Sequence, residues 1–242
     1  MEKNARVLIV VPAHNETGRI GEVVGEIREK LPDIDIVVID DASSDGTGAE
    51  AEAAGSKVVR LPTNLGIGGA VQAGYKYAER HGYDIVVQID GDGQHDPGFV
   101  GRLLEPILEG KADVVIGSRY VPGAKDPDYK TPFARKVGIT LFSLLTSAIV
   151  GVRITDVTSG FRAVSGKVLR YYVDNYPADF PDSEATILIH YLGGRVREIP
   201  VHMRSRAGGR SSTTPIKSLY YPFKVLIAIL ATLLREKPRV GE

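Results

Sequence analysis

The sequence predicts an α/β domain built on a mostly parallel sheet with helices on both faces. Three observations carry that expectation. Short uncharged runs rich in Val and Ile alternate with segments of helical period through the first half of the chain. The links between them are short, as in successive strand–helix–strand units. Each of four strand-like runs also ends in a polar cluster.

The elements follow in order. Val7 to Val11 (VLIVV) is continuously apolar, as a strand covered on both faces must be. Arg19 to Leu31 places Ile20, Val23, Val24, Ile27 and Leu31 at helical spacing, and Pro32-Asp33 stops it. Ile36 to Ile39 is the next strand, Thr47 to Ala54 a short Ala-rich helix, and Lys57 to Leu61 a third strand. Gly68 to Arg80 reads as a helix and Ile85 to Ile89 as a strand. Pro97 to Glu109 reads as a helix opened by its proline, and Val114 to Gly117 as a strand.

Composition narrows the function. A chain of 242 residues, 43% hydrophobic and with 30 basic against 30 acidic residues, can bury a sizeable core and is not disordered. The absence of Cys excludes disulfides, thiolate zinc sites, iron–sulfur clusters and a thiol nucleophile. His14, His81, His95, His190 and His202 show no metal-ligand spacing. Met1 leads directly to Arg6 and a strand, so no secretory signal is expected and the chain reads as cytoplasmic. Charge is unevenly placed: from Arg195 onward ten Lys/Arg face three Glu, a basic tail on an acidic body. Such a tail suits an anionic partner: a membrane surface, a phosphate or a nucleic acid.

The polar clusters are Pro12 to Glu16 (PAHNE), Asp40 to Thr47 (DDASSDGT), Asp90 to Pro97 (DGDGQHDP) and Ser118-Arg119-Tyr120. Parallel strands bring their C-terminal ends to one edge, where open α/β sheets bind ligands. The four clusters therefore converge on one crevice. Asp90 and Asp92 flank one glycine, with Gln94 and Asp96 behind them. Crowded carboxylates suit a hard cation such as Mg²⁺ or Mn²⁺, which is typically completed by substrate phosphates, here a nucleotide diphosphate. A simple Asp/Gly turn is the competing explanation. Asp40 and Asp41 could accept hydrogen bonds from a base or ribose, whereas Asp45 or Thr47 suits a helix cap.

Other motifs are absent. Asp90 to Gly101 is not an EF-hand, because Gln94, His95 and Gly101 occupy the fifth, sixth and twelfth positions. Gly66-x-Gly68 is followed by Val71 where a dinucleotide fingerprint has its third glycine, and neither a Walker lysine pattern nor GxSxG occurs. In the second half, Val137 to Val152 is sixteen residues without a charge and Val225 to Leu234 a ten-residue apolar run between Lys224 and Arg235. Both are shorter than the roughly 20 residues that span a bilayer. They suit helices lying at a membrane interface or, for the first, a core helix.

Seven stretches taken together resemble family 2 glycosyltransferases of the GT-A (Rossmann-like) fold, above all dolichyl- and polyprenyl-phosphate sugar synthases. They are VVPAHNE, VIDDASSDGT, NLGIGGAVQAGY, QIDGDGQHDP, GSRY, TDVTSGFRA and EIPVHMRSRAGGRSS, in the family's order from Val10 to Ser212. The resemblance implies a catalytic domain over residues 1–214 and a basic, apolar membrane-associated helix and tail over 215–242. It implies that Pro12, His14 and Glu16 line the nucleoside pocket and that Asp40 and Asp41 contact the base. Asp90, Gly91 and Asp92 match the DxD-like element, with Asp92, Gln94 and Asp90 holding Mg²⁺ or Mn²⁺ on the donor diphosphate. Arg119 and Arg135 match basic positions for phosphate, and Arg206 one for the donor diphosphate. The family usually continues to Ser-Lys where this chain has Ser211-Ser212, with Arg210 as the nearby charge.

The implied activity is that of a hexosyltransferase. A hexose passes with inversion from a GDP- or UDP-sugar to polyprenyl phosphate, with Asp92, Arg119 and Glu184 as catalytic candidates. The place implied is the cytoplasmic face of a membrane, by peripheral contact or through a small membrane protein, with no nucleic-acid partner. A sugar-hydroxyl acceptor in cell-surface polysaccharide synthesis would instead need a base, with Glu184 or Asp182 first and Asp156 third. A non-catalytic nucleotide-sugar scaffold is the third possibility.

Overall fold

The computed structural model describes residues 5–124, 133–177 and 181–204. Among them, seven strands form one sheet: β1 (Val7–Ala13), β2 (Asp35–Asp40), β3 (Lys57–Arg60), β4 (Ile85–Gln88), β5 (Val114–Ser118), β6 (Arg162–Ser165) and β7 (Val196–Pro200). Their order is β3-β2-β1-β4-β6-β5-β7. Every pairing is parallel except those of β6, which runs antiparallel to both β4 and β5. The expected mostly parallel sheet is present. Periodicity pointed to neither β6 nor β7, since β6 is a four-residue strand that begins with a buried arginine.

The helices are α1 (Ile20–Lys30), α2 (Thr47–Ala53), α3 (Gly66–Arg80), α4 (Val100–Leu108), α5 (Phe133–Val150), α6 (Gly166–Asn175) and α7 (Pro181–Tyr191). The segment expected as one helix from Pro97 divides into a 3₁₀ turn, Pro97–Phe99, and α4. Helix α3 starts at Gly66, two residues earlier than its apolar period indicates.

Alternate residues of each strand divide the core into two layers, as the two-residue period of a strand requires. Leu8, Val10, Val37, Ile39, Val86, Val114 and Ile116 face α3, α5, α6 and α7. Ile9, Val11, Val38, Val87, Ile89 and Val115 face α1 and α4, with Ala51 of α2. Burying each such Val or Ile side chain contributes about 1.5–3 kcal/mol, so the sheet's apolar runs are the main source of stability. Helix α3 approaches β1 so closely that a Cβ on Gly74 would lie 2.3 Å from Val10 Cγ1.

Helix α5 has a buried side and an exposed apolar side. Ile139, Phe142 and Val150 are buried in the core, while Leu141 and Leu144 are 53% and 64% exposed. No helix among the described residues is long and apolar enough to cross a membrane. The boundary at residue 214 and the Val225 to Leu234 segment lie outside the described residues.

The sheet direction brings the C-terminal ends of β1, β2, β4 and β5 to one edge. Ala13 pairs with Asp40, and the Asp41 N–H donates to the Ala13 carbonyl at 2.9 Å. The polar clusters begin there.

Candidate active site

The clusters after β1 and β2 are joined into one wall. The Asn15 N–H donates to Ser43 Oγ at 3.0 Å, the Ser44 N–H to Asn15 Oδ1 at 2.9 Å, and the Glu16 N–H to Thr47 Oγ1 at 2.8 Å. His14 Nδ1 lies 2.7 Å from the Asp41 carbonyl and 3.1 Å from Asn64 Nδ2, and its Nε2 lies 3.0 Å from Asn15 Nδ2. Asn15 and Ala42 both adopt positive φ, 54° and 53°. Non-glycine residues in that region are held by their surroundings and concentrate at binding sites. Pro12 is buried in this wall, and the Glu16 carboxylate accepts from Arg19 Nε at 2.7 Å.

The two aspartates after β2 are placed differently. Asp41 accepts from the Leu65 and Gly66 N–H groups at 2.7 and 2.9 Å, so its carboxylate fixes the start of α3. Asp40 Oδ1 accepts from the Ser43 N–H at 3.0 Å. Its Oδ2 stands near Arg60: a Cβ on Gly48 would be 2.6 Å from Asp40 Oδ2 and 2.9 Å from Arg60 Nε.

The DGDGQH loop leaves β4 and turns back on itself. The Asp90 N–H donates to His95 Nδ1 at 3.0 Å, and His95 Nε2 lies 3.7 Å from Asp90 Oδ2. The His95 ring is buried and stacks on Phe161 at 4.8 Å. Asp92 Oδ1 accepts from the Gln94 N–H at 3.1 Å, and Gln94 Nε2 donates to the Arg204 carbonyl at 3.1 Å. Asp90 Oδ1 accepts from Gln88 Nε2 at 3.0 Å. Gly160, from the TDVTSG stretch, lies against the same group: a Cβ there would meet both Asp90 carboxylate oxygens at 3.0 Å and Gln88 Nε2 at 2.8 Å. Only glycine leaves Asp90 in place.

Arg119 follows β5 and forms a two-pronged pair with Asp156. Its Nε and Nη2 donate to Asp156 Oδ2 and Oδ1 at 2.7 Å each, and Nη2 also reaches Thr158 Oγ1 at 2.9 Å. The Asp156 side chain is wholly buried and that of Arg119 only 10% exposed. Glu198 of β7 supports the pair from behind: it accepts from the Asp156 and Thr155 N–H groups at 2.8 Å each and from Thr155 Oγ1 at 2.9 Å. Burial raises the Glu198 pKa above the usual range against the lowering effect of those hydrogen bonds. Asp156, weighed from sequence as a third base, thus sits as the partner of Arg119.

Arg135 lies in the first turn of α5. Glu184 and Asp182 lie in the first turn of α7, which packs on α5 and β7. Arg206 and Arg210 lie outside the described residues, two and six positions past Arg204. A cavity of about 380 Å³ opens beside the end of β5, lined by Tyr120, Ser143, Leu144, Ser147, Arg153 and Thr155.

Sequence reasoning missed Gly160 as a spacer, Glu198 as a support and Gln88 as a partner of Asp90. All three fall within stretches quoted above, but nothing local shows what they touch.

The donor set suits a hard divalent ion. Asp90 and Asp92 offer carboxylate oxygens, and the Gln94 amide keeps Oε1 for coordination while its nitrogen holds Arg204. Among the described residues no group of three or more His, Asp or Glu could hold a metal alone. One or two carboxylates completed by substrate phosphates is the usual arrangement for Mg²⁺. The residues fit the group on that basis.

A profile described as "Glycosyl transferase family 2" matches residues 8–173, from β1 into α6. The chain belongs to glycosyl transferase family 2. The family 2 chain is 35% identical over 215 residues to an undecaprenyl-phosphate mannosyltransferase of Micrococcus luteus, covering 85% of this chain and 86% of that one. It is 36% identical over 170 residues to a polyprenol monophosphomannose synthase of Mycolicibacterium smegmatis, covering 68% and 63%. Its fold matches glucosyl-3-phosphoglycerate synthase of Mycobacterium tuberculosis in complex with Mn²⁺, UDP and phosphoglyceric acid. There the TM-score is 0.69 at 21% identity, over 99% of this chain and 82% of that one. The enzyme is a glycosyltransferase of GT-A-like fold.

Proposed function

We propose that this glycosyltransferase moves a hexose, with inversion, from a GDP- or UDP-sugar to a polyprenyl phosphate at the cytoplasmic face of a membrane. The observation that carries the reading is the similarity, over more than four-fifths of both chains, to an undecaprenyl-phosphate mannosyltransferase. The exposed leucines of α5 support it, because Leu144 also lines the cavity that adjoins the GSRY cluster. A phosphate bound near Tyr120 could therefore continue into an apolar tail lying along α5.

The wall of His14, Asn15 and Asp40 holds the nucleoside, and Asp90 and Asp92 face the diphosphate. A divalent ion held by Asp90, Asp92 and Gln94 would neutralise charge on the diphosphate. An acceptor phosphate is anionic at neutral pH, so its oxygen attacks the anomeric carbon without a strong general base, while the nucleoside diphosphate leaves from the opposite side. Arg119, held rigid by Asp156, supplies fixed positive potential at the end of β5.

Labelled sugar from GDP-mannose, UDP-glucose and UDP-N-acetylglucosamine is offered with short-chain polyprenyl phosphate, with Mn²⁺ and with EDTA. A lipid-phosphate sugar that forms with one donor, is released by mild acid and disappears with EDTA is the expected product. Donor binding without lipid product would sink the reading and move the search to hydroxyl acceptors with Glu184 as base.

A further inference from the structure

Arg204 closes a ring of alternating charge on the far side of the DGDGQH loop. Its Nη1 and Nη2 donate to Glu26 Oε2 and Oε1 at 2.7 Å each, and Nη2 lies 3.6 Å from Asp96 Oδ2. Lys30 completes the ring, 2.6 Å from Asp96 Oδ1 and 2.8 Å from Glu26 Oε1. Two carboxylates and two cations thus face each other around a closed circuit, with two members on α1, one at the end of the loop and one beyond β7. Asp96 Oδ1 also accepts from the Gly98 N–H at 2.8 Å, which ties the ring to the 3₁₀ turn.

The same segment is joined to the loop by its backbone. The Arg204 N–H donates to the Gln94 carbonyl at 2.9 Å, Gln94 Nε2 returns a bond to the Arg204 carbonyl, and His95 pairs antiparallel with Met203. The chain between Asp90 and Asp96 is therefore fixed at its start by β4 and at its end by the ring, with Asp92 between.

We propose that Arg204, Glu26, Lys30 and Asp96 form a positioning clamp that holds the Asp90–Gln94 loop in the geometry that binds the metal and the donor diphosphate. The proposal rests on the reading of Asp90 and Asp92 as metal ligands. A purely structural explanation is that partly exposed ion pairs merely decorate the surface, where isolated pairs contribute little. Two features argue against it. The Arg204–Glu26 contact is two-pronged, which fixes orientation as well as distance. Three of the four charges also reach the loop or its flanking turn directly. The clamp residues touch no substrate and act through the loop they hold.

The full-length chain is compared with R204A, E26Q and the double variant E26Q/R204A. One readout is amide hydrogen exchange, and the other is the Mn²⁺ concentration that half-saturates GDP or UDP binding by calorimetry. In R204A and E26Q, exchange should quicken in residues 90–98 and 203–204 and stay unchanged in the β1 and α3 amides. Half-saturating Mn²⁺ should rise roughly fivefold to tenfold, with nucleotide binding in EDTA unaltered. In the double variant E26Q/R204A the Mn²⁺ shift should be no more than about twofold larger than in R204A alone, as two partners of one contact predict. If R204A fails to fold, E26Q and R204K read the same two quantities. Faster loop exchange with unchanged Mn²⁺ dependence overturns the positioning role, as does a double variant whose Mn²⁺ shift is the product of the two single shifts. A parent chain whose binding of both nucleotides is indifferent to Mn²⁺ overturns the metal reading of the site and the clamp with it.

Discussion

At the scale of single residues, the carboxylates at the crevice have separate tasks set by their partners. Asp92 lies at the turn of the loop, where its Oδ1 accepts one backbone N–H. Asp92→Asn keeps that bond and removes the charge, so sugar transfer should fall by about 10²-fold or more while the thermal midpoint stays near that of the parent. Retained activity in a radiolabel transfer assay would remove Asp92 from the metal site. Asp156 is the opposite case, since its charge is enclosed with that of Arg119. Truncation leaves a desolvated guanidinium without its two-pronged partner. Asp156→Ala should therefore lower stability by about 3–5 kcal/mol in urea unfolding. A loss under about 1 kcal/mol would mean that water reaches Arg119 freely.

At the scale of elements, α5 has two faces that hydropathy alone does not separate. Its sixteen-residue uncharged run fits a core helix and an interfacial helix equally well, and the fold buries one side of it and leaves leucines exposed on the other. Leu141→Glu with Leu144→Glu alters only exposed positions, so the thermal midpoint should change little. Sedimentation with vesicles of anionic phospholipid should fall by about tenfold or more, because burial of each leucine contributes about 1.5–3 kcal/mol. Unchanged sedimentation would remove the exposed leucines of α5 from any membrane contact. Strand β6 makes a related point. Its four residues carry no alternation of their own, and only pairing with β4 on one side and β5 on the other makes them a strand.

At the scale of the molecule, the ionic contacts set the acid limit of stability. Hydrogen bonds from Arg204, opposed by burial and aided by Lys30, hold the Glu26 pKa down at about 2 against 4.5. For Asp96 burial raises the pKa, but the bonds from Lys30 and the Gly98 N–H outweigh it; for Asp113 those from Arg195 do the same. A lowered folded-state pKa stabilises above the unfolded value and is lost as pH falls towards the folded one. Stability should accordingly decline from about pH 4.5 towards pH 2. Glu198 has the opposite sign: its raised pKa favours the fold below the unfolded value, and that contribution is lost as pH rises through the folded pKa. Denaturant midpoints between pH 5 and pH 3 should fall less steeply in E26Q. The difference should be on the order of 1 kcal/mol once solvent screening is included. Parallel curves for the two chains would show that Glu26 titrates alike folded and unfolded.

Much of this molecule is local in origin and therefore legible from residue order. Uncharged Val/Ile runs demand cover on both faces, which dictates parallel strands with helices above and below and sends the polar clusters to one edge. The loop DGDGQH is legible as a candidate because it crowds carboxylates directly after a buried strand, at the edge where open sheets bind ligands. The tertiary structure alone decided the contacts across long separations. Arg119 meets Asp156 across 37 positions, and Arg204 meets Glu26 across 178. It also decided that Asp41 fixes α3 while Asp40 stands beside Arg60, although the two are adjacent in sequence. Hydrophobic period and turn chemistry act over a few residues, so they can specify an element and its direction. An ion pair or a glycine spacer is defined by what the folded chain brings to the other side.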